Sequence, residues 1–190
     1  MTRVAREDDW PAIVEIHRAA FGDHGDDVAW LVEELRASEW YEPELSFVAE
    51  VGGTVVGHVM NTWNWLEGGE PRVLQLSPLG VLPAHQGHGH GSALVQASLD
   101  AVRARGEPLL VLEGNPKYYG RFGFVRADEL GLLPPPECLF DWAFQVAVLD
   151  PAAPLPQGRV VYSPPFVVNA QQAAQRRERA AAPGDGPENV

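Results

Sequence analysis

The chain has 190 residues, 45% of them hydrophobic and 21% charged, proportions that fit one globular domain with a real core and leave little room for two. Its 26 acidic against 14 basic residues disfavour nucleic acid as a partner, and no apolar run reaches the roughly eighteen residues of a membrane span, so no membrane is expected. Cys138 is the single cysteine and the N-terminal residues lack the order of a secretion signal, so a cytoplasmic protein without an internal disulfide is expected.

The first helix is read in "DDWPAIVEIHRAAFG", with Asp8 or Asp9 as cap, Pro11 in the first turn and Gly22 as stop. Ile13, Ile16 and Ala20 share one face. A second helix over about 26–37 carries Val28, Leu31, Val32 and Leu35 at core spacing, with Glu33 and Glu34 opposite. Two strands follow in "LSFVAEVGGTVVGHVMNTWNW", joined at Gly52-Gly53. A third is "PRVLQLSPLGVL". Pro78 cannot donate to a ladder there and Gly80 adds no packing, so the strand is expected to bulge or splay at that point.

Next comes "HQGHGHGSALV", residues 85–95, opening a helix whose Val95, Leu99 and Val102 form an apolar stripe up to Gly106. "PLLVLEG" reads as a buried strand. In "NPKYYGRFGF", Asn115 and Pro116 start a short helix that Gly123 ends. Two last strands are read in "FDWAFQVAVLD" and "GRVVYSPPF". The division expected is a domain over 1–168 and a polar C-terminal tail over 169–190, as a frayed helix or disordered. The fold class is α/β, an α+β mixed sheet.

The glycine segment poses the functional question. A helix start leaves about four N–H groups without intrahelical partners at the positive end of its dipole. Residues Gly87 to Leu94 include no acid and only Ser92 as a cap. Alternating Gly87, Gly89 and Gly91 clear the Cβ atoms from the approach, which suits a phosphate or pyrophosphate. The P-loop Gly-Lys-Ser/Thr is missing, and G-x-G-x-x-G fails at Ser92 and at Leu94. What remains is Q-x-x-G-x-G on Gln86, Gly89 and Gly91.

With "LSPLGVLPAHQGHGHGSALV" followed by "NPKYYGRFGF", the chain resembles the GNAT superfamily of acetyl-CoA-dependent N-acetyltransferases, over about Thr2 to Phe166. The resemblance implies a mostly antiparallel sheet splayed between its fourth and fifth strands and flanked by helices. It implies acetyl-CoA as co-substrate, its pyrophosphate held by main-chain N–H groups of Gly87, His88, Gly89, His90, Gly91 and Ser92 beside Gln86. The pantetheine arm would lie along Leu79, Gly80 and Val81, with Asn115 also in contact and the Val81 N–H assisting the thioester carbonyl. Tyr119, four residues before Gly123-Phe124, would protonate the departing sulfur.

Relatives often carry Lys or Arg in the loop where this chain has His88 and His90. An unperturbed histidine loses its charge near pH 6.5, so acetyl-CoA binding is expected to weaken toward mildly alkaline pH. The second substrate implied is a primary amine of a small molecule or peptide. The base is left open among Glu50, Glu113, Asp26 and Asp27, because Gln75 and Ser77 stand where some relatives place a glutamate, and direct attack by an amine deprotonated in the cleft stays open as well. Trp63 and Trp65 could line an acceptor pocket or pack in the core, and "LGLLPPPECLFDW" is expected to wall that pocket. Such folds often pair, and a homodimer is allowed without any residue pointing to it. The rival readings are a non-catalytic acyl-CoA-binding regulatory module and a metal-binding protein using His85, His88 and His90, although a closed site ordinarily adds Cys or a distant His.

Overall fold

The computed structural model describes residues 1–70 and 72–181. The chain opens with a strand, β1 (Thr2–Val4), that antiparallel pairing places on the edge of the sheet beside β2. Two helices follow, α1 (Trp10–Ala20) and α2 (Gly25–Ala37). Asp9 stands at the N-cap of α1, yet its carboxylate takes the Arg6 N–H at 2.7 Å and the Arg3 guanidinium at 2.7 and 2.9 Å instead of capping the helix. The meander β2 (Tyr41–Val51), β3 (Thr54–Leu66) and β4 (Arg72–Val81) turns at Gly52-Gly53.

Helix α3 (His90–Ala104) leads to β5 (Leu109–Glu113), the single turn α4 (Pro116–Tyr119), and the short strands β6 (Val125–Arg126) and β7 (Leu132–Leu133). The chain continues with β8 (Phe144–Val148), β9 (Gly158–Val161) and α5 (Pro164–Ala181). The main path across the sheet is β1-β2-β3-β4-β5-β8-β6, with β9 joined to β3 and β7. All pairs on that path are antiparallel except β4–β5. This is the mixed α/β sheet that the resemblance implies.

Period-two alternation sorts the sheet's side chains onto two cores. Val48, Met60, Val73 and Val111 pack with Ile13 of α1 and Leu31, Val32 and Leu35 of α2. Phe47, Val59, Leu74, Leu76, Leu110 and Leu112 pack on the other face against Leu94, Val95, Leu99 and Val102 of α3. Val95 and Val102 are completely buried, as the apolar stripe of α3 requires.

β4 is irregular where Pro78 and Gly80 were expected to disturb it. Asn61 faces Leu76 and Val59 faces Leu79, so Ser77 and Pro78 together oppose Met60: one residue too many, a β-bulge. Gly80, however, does serve packing. A Cβ there would stand 3.0 Å from His17 Nδ1 and 3.3 Å from Ile16, so the missing side chain lets α1 lie directly on the strand. His17 Nε2 and His58 Nδ1 are 2.8 Å apart, and His58 Nε2 is 2.9 Å from Ser46 Oγ. Burial drives the pKa of His17 down to about 3 and that of His58 well below its ordinary value, so both rings are neutral.

Two elements differ from the expected ones. The strand expected to run into "SPPF" stops at Val161, and Pro164 and Pro165 instead begin α5, proline being at home in a helix's first turn. α5 then crosses the boundary expected at 168. Asn169 donates to the Asp27 carbonyl at 2.8 Å, and Arg176 pairs with the Asp27 carboxylate at 2.8 Å. This stretch of the expected tail is therefore a docked helix, while 182–190 lie outside the described residues.

Candidate active site

β4 and β5 pair in parallel only at Gln75 and Val111. Beyond that point they part, and the gap leaves one edge of β4 without a partner strand. Leu82 donates its N–H to Val56 of β3 at 2.9 Å. By strand alternation, Leu79 and Val81 therefore turn their main-chain groups the other way, into the gap. The Val81 carbonyl there accepts the Gln86 side-chain amide at 3.0 Å. Gln86, expected beside the pyrophosphate, thus fastens the glycine loop to the strand.

The bulge has a second effect. One extra residue reverses which face each following side chain takes. Gln75 and Ser77, before or within it, line a cavity on the α2–α5 side of the sheet, whereas Leu79 and Val81, after it, line another next to α3. A single strand thus serves two chambers on opposite faces.

The chamber beside α3 has about 560 Å³ and is bounded by Leu79, Val81, Gln86, Gly87, Gly89, His90, Gly91 and Ser92, with Ala20, Phe21, His85, Tyr118 and Arg121. Gly89 caps α3 at φ 86°, in the left-handed region, and no side chain caps the helix. Its first turn carries no acid. Arg121 reaches Ser92 Oγ at 3.1 Å and lies 4.2 Å over the Tyr118 ring. A guanidinium from the turn after α4 therefore stands at the helix start. His90 lines the chamber. His88 does not: its Nδ1 donates to the Gln86 carbonyl at 2.8 Å and the ring sits on the exposed outside.

The chamber on the other face has about 610 Å³. α2 supplies Asp27, Val28 and Leu31, and the 136–143 loop supplies Glu137 and Leu139. Tyr162, Phe166 and α5 complete the wall. From the end of β5, Glu113 opens onto it. Tyr162 donates its hydroxyl to Glu113 Oε2 at 3.1 Å. Burial raises the Glu113 carboxyl pKa above its ordinary value, an effect that the Tyr162 and Cys138 side chains and the Leu139 N–H partly offset. A chain of buried amides stands behind: Ser163 N–H donates to Asn64 Oδ1 at 2.7 Å, and Asn64 Nδ2 to Gln75 Oε1 at 2.5 Å.

Three of the four candidate bases are held in ion pairs, Asp27 among them although it lines the chamber. Glu50 pairs with Arg3 at the β1–β2 edge, Asp26 with Arg18 on the surface, and Asp27 with Arg176. Glu113 alone combines the chamber with a raised pKa. It could not be singled out from sequence because only the parting of β4 from β5 beyond Gln75 and Val111 leaves it open to the chamber.

Tyr119 packs against Gly114, where an added Cβ would meet the ring at 2.3 Å, and its ring lies 5.9 Å from Phe124. Burial raises its pKa, so the phenol keeps its proton. Tyr118, not Tyr119, borders the α3 chamber. Asn115 caps α4 by accepting the Lys117 N–H at 2.9 Å. Trp63 is in the core, donating to Glu42 beneath the Arg72 and Arg105 guanidinium groups, and Trp65 leans on Trp40. Neither tryptophan lines a chamber. Burial and the neighbouring Glu113 raise the Cys138 thiol to about 12, which leaves it protonated and poorly nucleophilic.

Comparison with known proteins agrees with this fold. The profile of the acetyltransferase (GNAT) family matches residues 10–124. A GNAT family N-acetyltransferase, YhbS, from Escherichia coli, solved in complex with CoA, superposes with a TM-score of 0.78 at 29% identity, covering 88% of this chain and 91% of that one. A GNAT family acetyltransferase from Brucella melitensis in complex with acetyl-CoA gives 0.72 at 31% identity, over 87% and 97%. A mycothiol acetyltransferase from Thermomonospora curvata is 32% identical over 139 residues, 67% of this chain and 45% of its own length. The chain spans less than two thirds of the length of the curated relatives it matches.

Proposed function

The chain belongs to the GNAT family of acetyltransferases, and from that premise we propose that it transfers an acetyl group from acetyl-CoA directly to a primary amine. The observation that carries the reading is the β4–β5 gap, with an acid-free helix start on one face and the Glu113 carboxylate on the other. The residues present fit the co-substrate. Main-chain N–H groups from Gly87 to Ser92, with His90 and Arg121, suit the diphosphate. The unpaired edge at Leu79 and Val81 suits an amide-bearing arm. When bound, acetyl-CoA supplies an activated thioester.

Glu113 takes one proton from the incoming ammonium, and the freed nitrogen lone pair forms the new C–N bond while the C–S bond breaks. The Val81 N–H stabilises the charge that grows on the carbonyl oxygen. Tyr119 gives its proton to the sulfur and is reprotonated by the second hydrogen that the nitrogen sheds. Glu113 returns its proton to solvent. Both substrates are bound together and no acyl group rests on the protein.

Incubation with acetyl-CoA and a panel of primary amines should release the CoA thiol in proportion to N-acetylated product. Tight acetyl-CoA binding without thiol release for any amine would favour the non-catalytic binding module.

A further inference from the structure

Resting on that reading, we infer that the amine chamber selects a small cationic amine with an apolar or aryl body and no acidic group of its own. The volume, about 610 Å³, lies within the range of sites for small molecules. Among the described residues, its lining includes three carboxylates, Asp27, Glu113 and Glu137, one histidine, His24, and neither Lys nor Arg. Arg176 neutralises Asp27 from outside the chamber, at 2.8 Å, while Glu113 and Glu137 form no ion pair among the described residues. Its described lining therefore carries more acidic than basic groups, the reverse of the α3 side, whose described lining has His85, His90 and Arg121 and no acid.

The remaining walls define the body of the ligand. Val28 and Leu31 from α2, Leu139 from the loop and Phe166 from α5 are apolar, and Tyr162 and Phe166 pair at 5.2 Å. α5 turns Ala170, Ala173 and Ala174 toward the space, so its width is left to the ligand. An ammonium beside Glu113 and an apolar tail along α2 and α5 would satisfy both linings at once. A carboxylate or phosphate on the same molecule would meet Glu113 or Glu137 with His24, and no Lys or Arg among the described residues, to answer it.

Phenethylamine and phenylalanine share an amine and a ring and differ by one carboxylate, and ethylamine keeps the amine without the ring. With the full chain and acetyl-CoA, kcat/KM for phenethylamine should exceed that for phenylalanine by at least about thirtyfold and that for ethylamine by at least about tenfold. Isothermal titration of each amine without acetyl-CoA should give the same ranking. Glu137→Arg should weaken phenethylamine binding and narrow its lead over phenylalanine. Equal values for phenethylamine and phenylalanine would overturn the charge selection, and equal values for phenethylamine and ethylamine the apolar wall. Absence of thiol release with every amine would instead remove the acetyl-transfer reading, and the titration ranking would still decide the selectivity of the chamber.

Discussion

The two chambers flanking the gap are made of different material. Beside α3 the donors are main-chain N–H groups, exposed by glycines and left free by a helix start without an acidic cap. On the α2–α5 face the polar groups are side chains. Glu113 comes from β5, Gln75 from β4, Tyr162 from beyond β9 and Asp27 from α2. A backbone-built site is local in sequence and tolerates changes of side chain. A side-chain-built site depends on the packing of distant elements, and single substitutions strike it hard.

Glu113→Gln should break the second chamber alone. We expect kcat to fall about a hundredfold or more, the ordinary reach of a general base, with the acetyl-CoA Kd unchanged by titration. The wild-type kcat/KM profile should lose activity as pH falls through the Glu113 pKa. Because burial raises that pKa, the limb should lie above the ordinary carboxylate value of about 4.3, and it should vanish in the Gln variant. A change in acetyl-CoA affinity of similar size would mean that the chambers are not independent.

Gly89→Val is the converse. At φ 86° a β-branched residue is strained by roughly 1–2 kcal/mol, and its side chain obstructs the approach to the N–H groups. Acetyl-CoA Kd should rise at least about tenfold, while amine binding measured by titration stays the same. Tyr119→Phe sharpens the comparison behind the second chamber, where the ring packs on Gly114: turnover should fall about tenfold as the proton donor is lost, with little change in acetyl-CoA affinity. Full activity would return that residue to a packing role.

The smallest effect is expected in the loop histidines. His90 lines the α3 chamber and His88 is turned onto the Gln86 carbonyl. His90→Ala should weaken acetyl-CoA binding a few-fold by titration, because the ring borders the chamber, and His88→Ala should leave it unchanged. An unchanged Kd in the His90→Ala variant would assign the whole affinity to the main chain and Arg121.

The glycine loop, the apolar stripe of α3, the Gly52-Gly53 hairpin and the disturbance at Pro78 were legible because each rests on local chemistry: backbone freedom, helical period, turn geometry and a missing donor. β1, β6 and β7 were not, since two- and three-residue strands carry no period to read and exist only because a neighbouring edge accepts them. α5 was obscured by prolines that serve equally in a turn and in a helix's first residues.

By itself, then, the amino-acid sequence determined where an uncapped, glycine-lined helix start lies, because a run of glycines there dictates its own geometry. Only the tertiary structure decided which carboxylates line the second chamber, which tyrosine borders the loop and which arginine stands at the helix start. The bulge at Ser77-Pro78 reverses the faces of β4, and the parting of β4 from β5 leaves a gap between the two strands. Both are consequences of how strands pair across the sheet, and pairing is a relation between distant segments that no single stretch of chain contains.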